Sequence, residues 1–226
     1  VKGIKLSRKA TNNLEKDHWI IDFETMGQDV LEMPVIDAAY HRFTWSRFTS
    51  RNPYTWSELI ENISVSKADI KEQVSDYGYK YTKRDLEWWL GQGPEAKSKI
   101  KPSPNDLTLK DFCAKVMAHI EENEVGFWWS RGNSFDPVIL HRIMRDTGNL
   151  ERLNEALKFW LVKDTRTHIG AKFDYGMYDG FVPVPNTETW KEQFKGHIST
   201  HDVAADILRL QRIARAENDL PEVIME

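Results

Sequence analysis

Cysteine is almost missing from this 226-residue chain, Cys113 being the only one. That excludes an internal disulfide and a thiolate metal cluster, and it fits a reducing compartment, the cytoplasm. No apolar run reaches the ~18 residues of a membrane span and no signal-peptide pattern is visible, so neither a span nor export is expected. Positive charge is not in excess either: 31 Lys and Arg stand against 35 Asp and Glu, a net charge of −4. A protein that coats nucleic acid is usually basic, whereas one that grips a single strand end needs only a local basic patch, so the balance disfavours the first more. What is present is 40% hydrophobic residues and nine tryptophans, enough for one sizeable, aromatic-rich core.

Residues 1–17 are polar and lysine-rich and read as an N-terminal arm; 18–226 reads as one domain. Alternation predicts a strand over 19–25, a second from Pro34 that continues through Arg42-Phe43-Thr44-Trp45, and a third pairing nearby as an antiparallel meander. Helical pieces are expected at 56–63, 66–74 and 82–90, then a loop over 91–106 with its Pro and Gly. Thr108 reads as the N-cap of a helix with Phe112, Val116, Met117 and Ile120 inward. Strand 125–130, a helix opening at Asp136-Pro137, a helix over 151–160, a brief strand at 161–162, a long loop over 170–196 and a helix over 200–216 complete the reading. A meander followed by alternating helices and strands predicts a mixed α/β domain.

Ile20, Asp22 and Glu24 share one face of the first strand. Two carboxylates in so apolar a strand repel each other and resist burial. Two Lys or Arg side chains, or divalent metal ions, must compensate. Asp136 follows strand 125–130 after a short turn; Asp before Pro is an ordinary helix start, but the position just past a strand end is also where sites gather in α/β sheets. The segment His197-Ile198-Ser199-Thr200-His201-Asp202-Val203-Ala204-Ala205-Asp206 holds two overlapping frames, 197/202 and 201/206. A helical wheel of about 100° per residue places Asp206 at the edge of the apolar stripe and Asp202 farther out, near the direction of Arg209. On that phase Asp206 is the inward acid needing a partner, Asp202 is solvated, His201 faces the site and His197 is a loop histidine. The resulting set is Asp22, Glu24, Asp136, Asp206 and His201. All-oxygen ligands select hard ions such as Mg²⁺ or Mn²⁺; two ions about 4 Å apart suit in-line attack of water on a phosphodiester, with a histidine as general base.

Asp22-Phe23-Glu24-Thr25-Met26-Gly27, Asn133-Ser134-Phe135-Asp136 and His201-Asp202-Val203-Ala204-Ala205-Asp206 together resemble the motifs of DEDDh-type 3′–5′ exonucleases of the ribonuclease H-like superfamily. Glu87-Trp88-Trp89 with Pro94-Glu95-Ala96, and Asp164-Thr165-Arg166-Thr167, are similar to blocks of the subgroup that joins T-even phage exonucleases to a mycobacterial exoribonuclease group. The resemblance covers about 19–215. It implies a central mixed five-stranded sheet, strands one to three antiparallel and the later ones parallel to the first, flanked by helices. It implies two Mg²⁺ or Mn²⁺ ions on Asp22, Glu24, Asp136 and Asp206, with His201 as base. It implies release of nucleoside 5′-monophosphates from 3′ ends of single-stranded DNA, slightly favoured, or RNA, in the host cytoplasm if the chain is phage-encoded. Thr25, Met26 and Gly27 would lie against the terminal nucleotide. One departure stands out: the family's small residue two positions after the histidine is Val203 here.

Trp88 and Trp89 sit on one element with different directions, leaving core packing and base stacking both open for the pair, with Trp88 taken as the substrate contact. Trp128 and Trp129 read as core, with at most one of the two buried. Lys80, Lys83 and Arg84 are phosphate-steering or merely solvated. Arg166 is a phosphate contact or a partner of an acid such as Asp164. Lys97, Lys99 and Lys101 read as loop charges.

Overall fold

The computed structural model describes residues 13–173 and 193–221. Its sheet has five strands in the order β3-β2-β1-β4-β5: β1 is Asp17–Thr25, β2 Val35–Thr44, β3 Ser64–Lys67, β4 Val125–Ser130 and β5 Val162–Asp164. β1 pairs antiparallel with β2, and β2 with β3. β4 runs parallel to β1, and β5 to β4. The mixed sheet expected from the chain is the one observed.

Alternation along β1 divides the core. Trp19, Ile21 and Phe23 enter a cluster with Leu109, Phe112, Val116 and Met117 of helix α6 (Leu109–Glu121) and Ile139, Leu140 and Ile143 of α7 (Asp136–Asp146). Ile20 faces the other way, into a cluster with Leu59 of α2 (Trp56–Asn62) and Val203, Ile207, Leu208 and Leu210 of α10 (Ser199–Ala216). Both faces are therefore covered, and that corrects the reading of the tandem tryptophans. Trp128 and Trp129 are both buried, on opposite faces of β4. Covering a strand on both sides buries each member of an adjacent pair.

Four expectations change in detail. Residues 66–74 are not one helix: β3 ends at Lys67, and α3 starts at Ile70 after the cap of Asp69, which accepts from the Lys71 and Glu72 amides. The loop over 91–106 contains α5 (Pro94–Lys99), with proline in its first turn. Thr165–Phe173, expected partly as loop, is helix α9, while 174–192 lie outside the described residues. Of the polar arm, residues 1–12 also lie outside them, but Asp17 opens β1 and Asn13 lies on β4 so closely that a Cβ at Gly126 would be 2.1 Å from the Asn13 carbonyl oxygen. Only glycine permits that approach. Further helices are α1 (Trp45–Phe48), α4 (Lys83–Leu90) and α8 (Leu150–Ala156), the last followed by a 3-10 turn at Phe159–Leu161.

Candidate active site

β1 brings Asp22 and Glu24 to the face crossed by α10. Asp202, in the first turn of that helix, meets them there, and one carboxylate oxygen from each of the three lies within 4.8 Å of the others. Asp136 reaches the same place from the start of α7. Its position corrects the N-cap reading: Phe135 is the cap residue, and Asp136, the first helical residue, accepts the Phe23 backbone N–H at 3.1 Å. The acid is thereby held against β1.

The electrostatics follow from crowding under cover. Burial, then Asp202, Asp136 and Glu24, hold the Asp22 carboxyl well above the usual carboxylate range. Burial and Asp37 push Glu24 to about 9. Burial takes Asp136 to about 7, against its backbone hydrogen bonds, and Asp202 to about 7 with help from Asp206. Four acids that resist ionising in one place are a site short of positive charge. An all-oxygen set of this kind fits hard divalent cations.

The helix-phase reading of the last two motifs is corrected by the geometry. Asp206 does point inward, but cations already meet it. Arg131 donates to its Oδ1 at 2.5 Å and Arg209 to the same oxygen at 2.7 Å, while the Thr165 hydroxyl donates to Oδ2. Asp202 lies beside Asp22 and Glu24 instead. The histidines exchange places in the same way. His201 packs edge-on against Trp56, ring centroids 5.3 Å apart, and its Nδ1 accepts the Lys195 backbone N–H at 3.0 Å. His197 has its Nδ1 3.9 Å from Glu24 Oε2 and its ring edge-on to Trp88 at 4.7 Å. Its φ of 61° is left-handed, a conformation that costs a non-glycine residue on the order of 1 kcal/mol and collects at functional sites. The sequence held a signal for this frame: counted from His197, the second position is Ser199, which is small, and the departure at Val203 disappears.

Sequence reasoning missed a second ion-pair group. Asp37 stands opposite Glu24 across β1 and β2 and is buried with the Lys99 ammonium and the Ser199 hydroxyl, which donates to Asp37 Oδ1 at 2.8 Å. Lys99 is thus not a loop charge. Among the expected substrate contacts, Met26 is buried with Ile36, Trp89 and Ala96, and Thr25 is buried with its hydroxyl donating to the Gly27 carbonyl at 2.8 Å. Gly27 is partly open and Trp88 is exposed. Asp164 accepts the Asn133 and Thr167 backbone N–H groups at 3.1 and 3.0 Å and so ties the Asn133 turn to α9; Arg166 is exposed on that helix.

A model of the 3'-5' exoribonuclease Rv2179c-like domain matches residues 17–182. The chain belongs to this family of 3′–5′ exonucleases. It is 34% identical to the exodeoxyribonuclease of Enterobacteria phage T4, over 90% of this chain and 92% of that protein. Its fold is that of exonuclease I: the metal-free form of the E. coli ExoI–ssDNA complex superposes with a TM-score of 0.55 at 11% identity, covering 91% of this chain and 41% of that one. A product-bound exonuclease I gives 0.53 at 13%, covering 91% and 44%. The chain spans less than half the length of these solved neighbours. Among the described residues no helix is long and apolar enough to cross a membrane.

Proposed function

We propose that the chain removes nucleoside 5′-monophosphates from the 3′ end of single-stranded DNA, with Asp22, Glu24, Asp136 and Asp202 holding two Mg²⁺ or Mn²⁺ ions and His197 as general base. The observation that carries this is the convergence of Asp22, Glu24 and Asp202, beside a buried Asp136. Bound ions supply Lewis-acid stabilisation of charge on the attacking water and on the leaving 3′ oxygen. The chain's part is geometric. Asp136 is fixed to the β1 backbone, and α10 delivers Asp202 to the two β1 acids. His197 sits at the rim, where burial lowers its pKa from the ordinary value, and an imidazole there can take a proton from water. His201, with Nδ1 already accepting a backbone N–H, holds the segment before α10 against Trp56.

DNA is put first because of the T4 relative. Action on RNA is the second reading, favoured by the description of the matching family. Labelled DNA and RNA oligonucleotides of one sequence, incubated with Mn²⁺ with and without chelator, test both. Metal-dependent release of mononucleotides is expected, faster from DNA; faster release from RNA would reverse the substrate order, and no release from either would sink the reading. His197→Ala should cost about 10²–10⁴-fold in turnover, the usual worth of a general base. His201→Ala should act mainly on stability. A reversal of those two effects would restore the 201/206 frame.

A further inference from the structure

The outer face of α4 joins the site to open surface. Trp88 lies there with 47% of its surface exposed and its ring against His197. Its neighbour Trp89 is buried, and the Trp89 indole N–H donates to the Thr25 carbonyl at 2.9 Å. The exposed ring is therefore anchored, through the next residue, to the end of the strand that carries Asp22 and Glu24. Four residues back, Arg84 lies on the same helical face; it too is exposed, and no ion pair or hydrogen bond engages it among the described residues. The helix's acids are occupied elsewhere. Asp85 closes the capping box with Thr82 and abuts Gly27, and Glu87 pairs with Lys83 at 3.4 Å. Tyr81, 41% exposed, continues the surface before the helix start. A rigid aromatic ring, then a cation without a counter-ion, then a second ring is the combination that holds single strands: π-faces for bases and a charge for the backbone.

We infer that single-stranded nucleic acid leaves the site along this face, with the base preceding the terminal nucleotide stacked on Trp88 and a phosphate farther upstream held by Arg84. The inference rests on the exonuclease reading and adds a track several nucleotides long to it. Such a track acts on binding more than on bond cleavage, so substrate length is the variable that exposes it.

The test compares a thymidine dinucleotide with a twelve-nucleotide oligothymidylate as substrates in Mn²⁺. Trp88→Ala should raise KM for both by about 5- to 100-fold, the range for one lost base–aromatic stack. Arg84→Ala should raise KM for the twelve-mer at least about threefold more than for the dinucleotide, and should reduce the salt dependence of twelve-mer binding by about one phosphate contact. Arg84→Lys, which keeps the charge, should restore most of that salt dependence. Equal effects of Arg84→Ala on both lengths with an unchanged salt slope would overturn the track while leaving the nuclease intact. An unmodified protein inert on both substrates would overturn the underlying reading, and the track with it.

Discussion

Asp202 and Asp206 lie one turn apart on the same helix and have opposite surroundings. Asp206 is buried deeper, yet two guanidinium groups and a hydroxyl meet its two oxygens. Asp202 is partly open and stands with other acids, Asp22 and Glu24; Arg131, Arg209 and Lys99 act on it electrostatically, yet its pKa is still raised. The lesson is that burial alone does not mark a site acid. A buried carboxylate whose charge is already matched is structural, while a cluster whose charge is unmatched is waiting for a cation from outside.

Asp202→Asn should give the largest effect on turnover, a loss of about 10³-fold if one ligand contributes about 4 kcal/mol to the transition state. Its folded protein without metal should melt no lower than the parent, because one of several repelling charges is gone. A lower melting temperature without metal would mean Asp202 has a structural partner and would break the comparison. Asp206→Asn should do the converse. It leaves Arg131 and Arg209 without their shared buried anion, a change that costs about 3–5 kcal/mol, seen as a fall of roughly 10 °C in melting temperature for a chain of this size. Unchanged melting with lost turnover would put Asp206 among the ligands after all.

Metal addition sharpens the contrast at intermediate size. Saturating Mn²⁺ at about a hundred times its dissociation constant should stabilise the fold by about 2.7 kcal/mol, reversed by chelator. Thermal melts should show this shift retained in Asp206→Asn and reduced in Asp202→Asn; equal shifts in both would count against the ligand set. A further contrast is with pH, in chelator. Asp136 and Asp202 rise from 3.8 to about 7 on folding, and Glu24 from 4.5 to about 9. The folded state therefore holds protons that the unfolded chain has released. The stability they contribute is full below about pH 4 and is lost as pH rises toward 7 and then 9, with a slope of up to about 1.4 kcal/mol per pH unit for each proton retained. Denaturant melts across that window should show the decline, shallower in Asp202→Asn and flattened by Mn²⁺.

Much of this was legible in residue order. The strand at 19–25, the second strand running past residue 40, β4 and the last helix follow from period and breakers, because a covered sheet imposes period two on its strands and a core-facing helix imposes its own stripe; the parallel arrangement of the later strands came from the family resemblance. A third strand was expected, but its position was not legible. Ser64-Val65-Ser66-Lys67 is four residues long, too short for alternation to be distinguished from the helical run beyond it, and its pairing with Asp37–Tyr40 is a tertiary fact. The site was half legible. Asp22, Glu24 and Asp136 stand out as acids in apolar surroundings. Lys99 and Asp37 do not, because each looks ordinary until the sheet register and α5 bring them together.

The sequence by itself determined that carboxylates would be buried beside one another, that a histidine would enter α10 near them, and that these belong to one α/β sheet. Only the tertiary structure decided which acid on α10 stands beside Asp22 and Glu24. A helical wheel gives direction, and direction says that a buried charge must be matched, not by what. Arg131, arriving from the end of β4, and Arg209, one turn along α10, answered that for Asp206. Asp202 was left facing Asp22 and Glu24, with His197 rather than His201 at the rim.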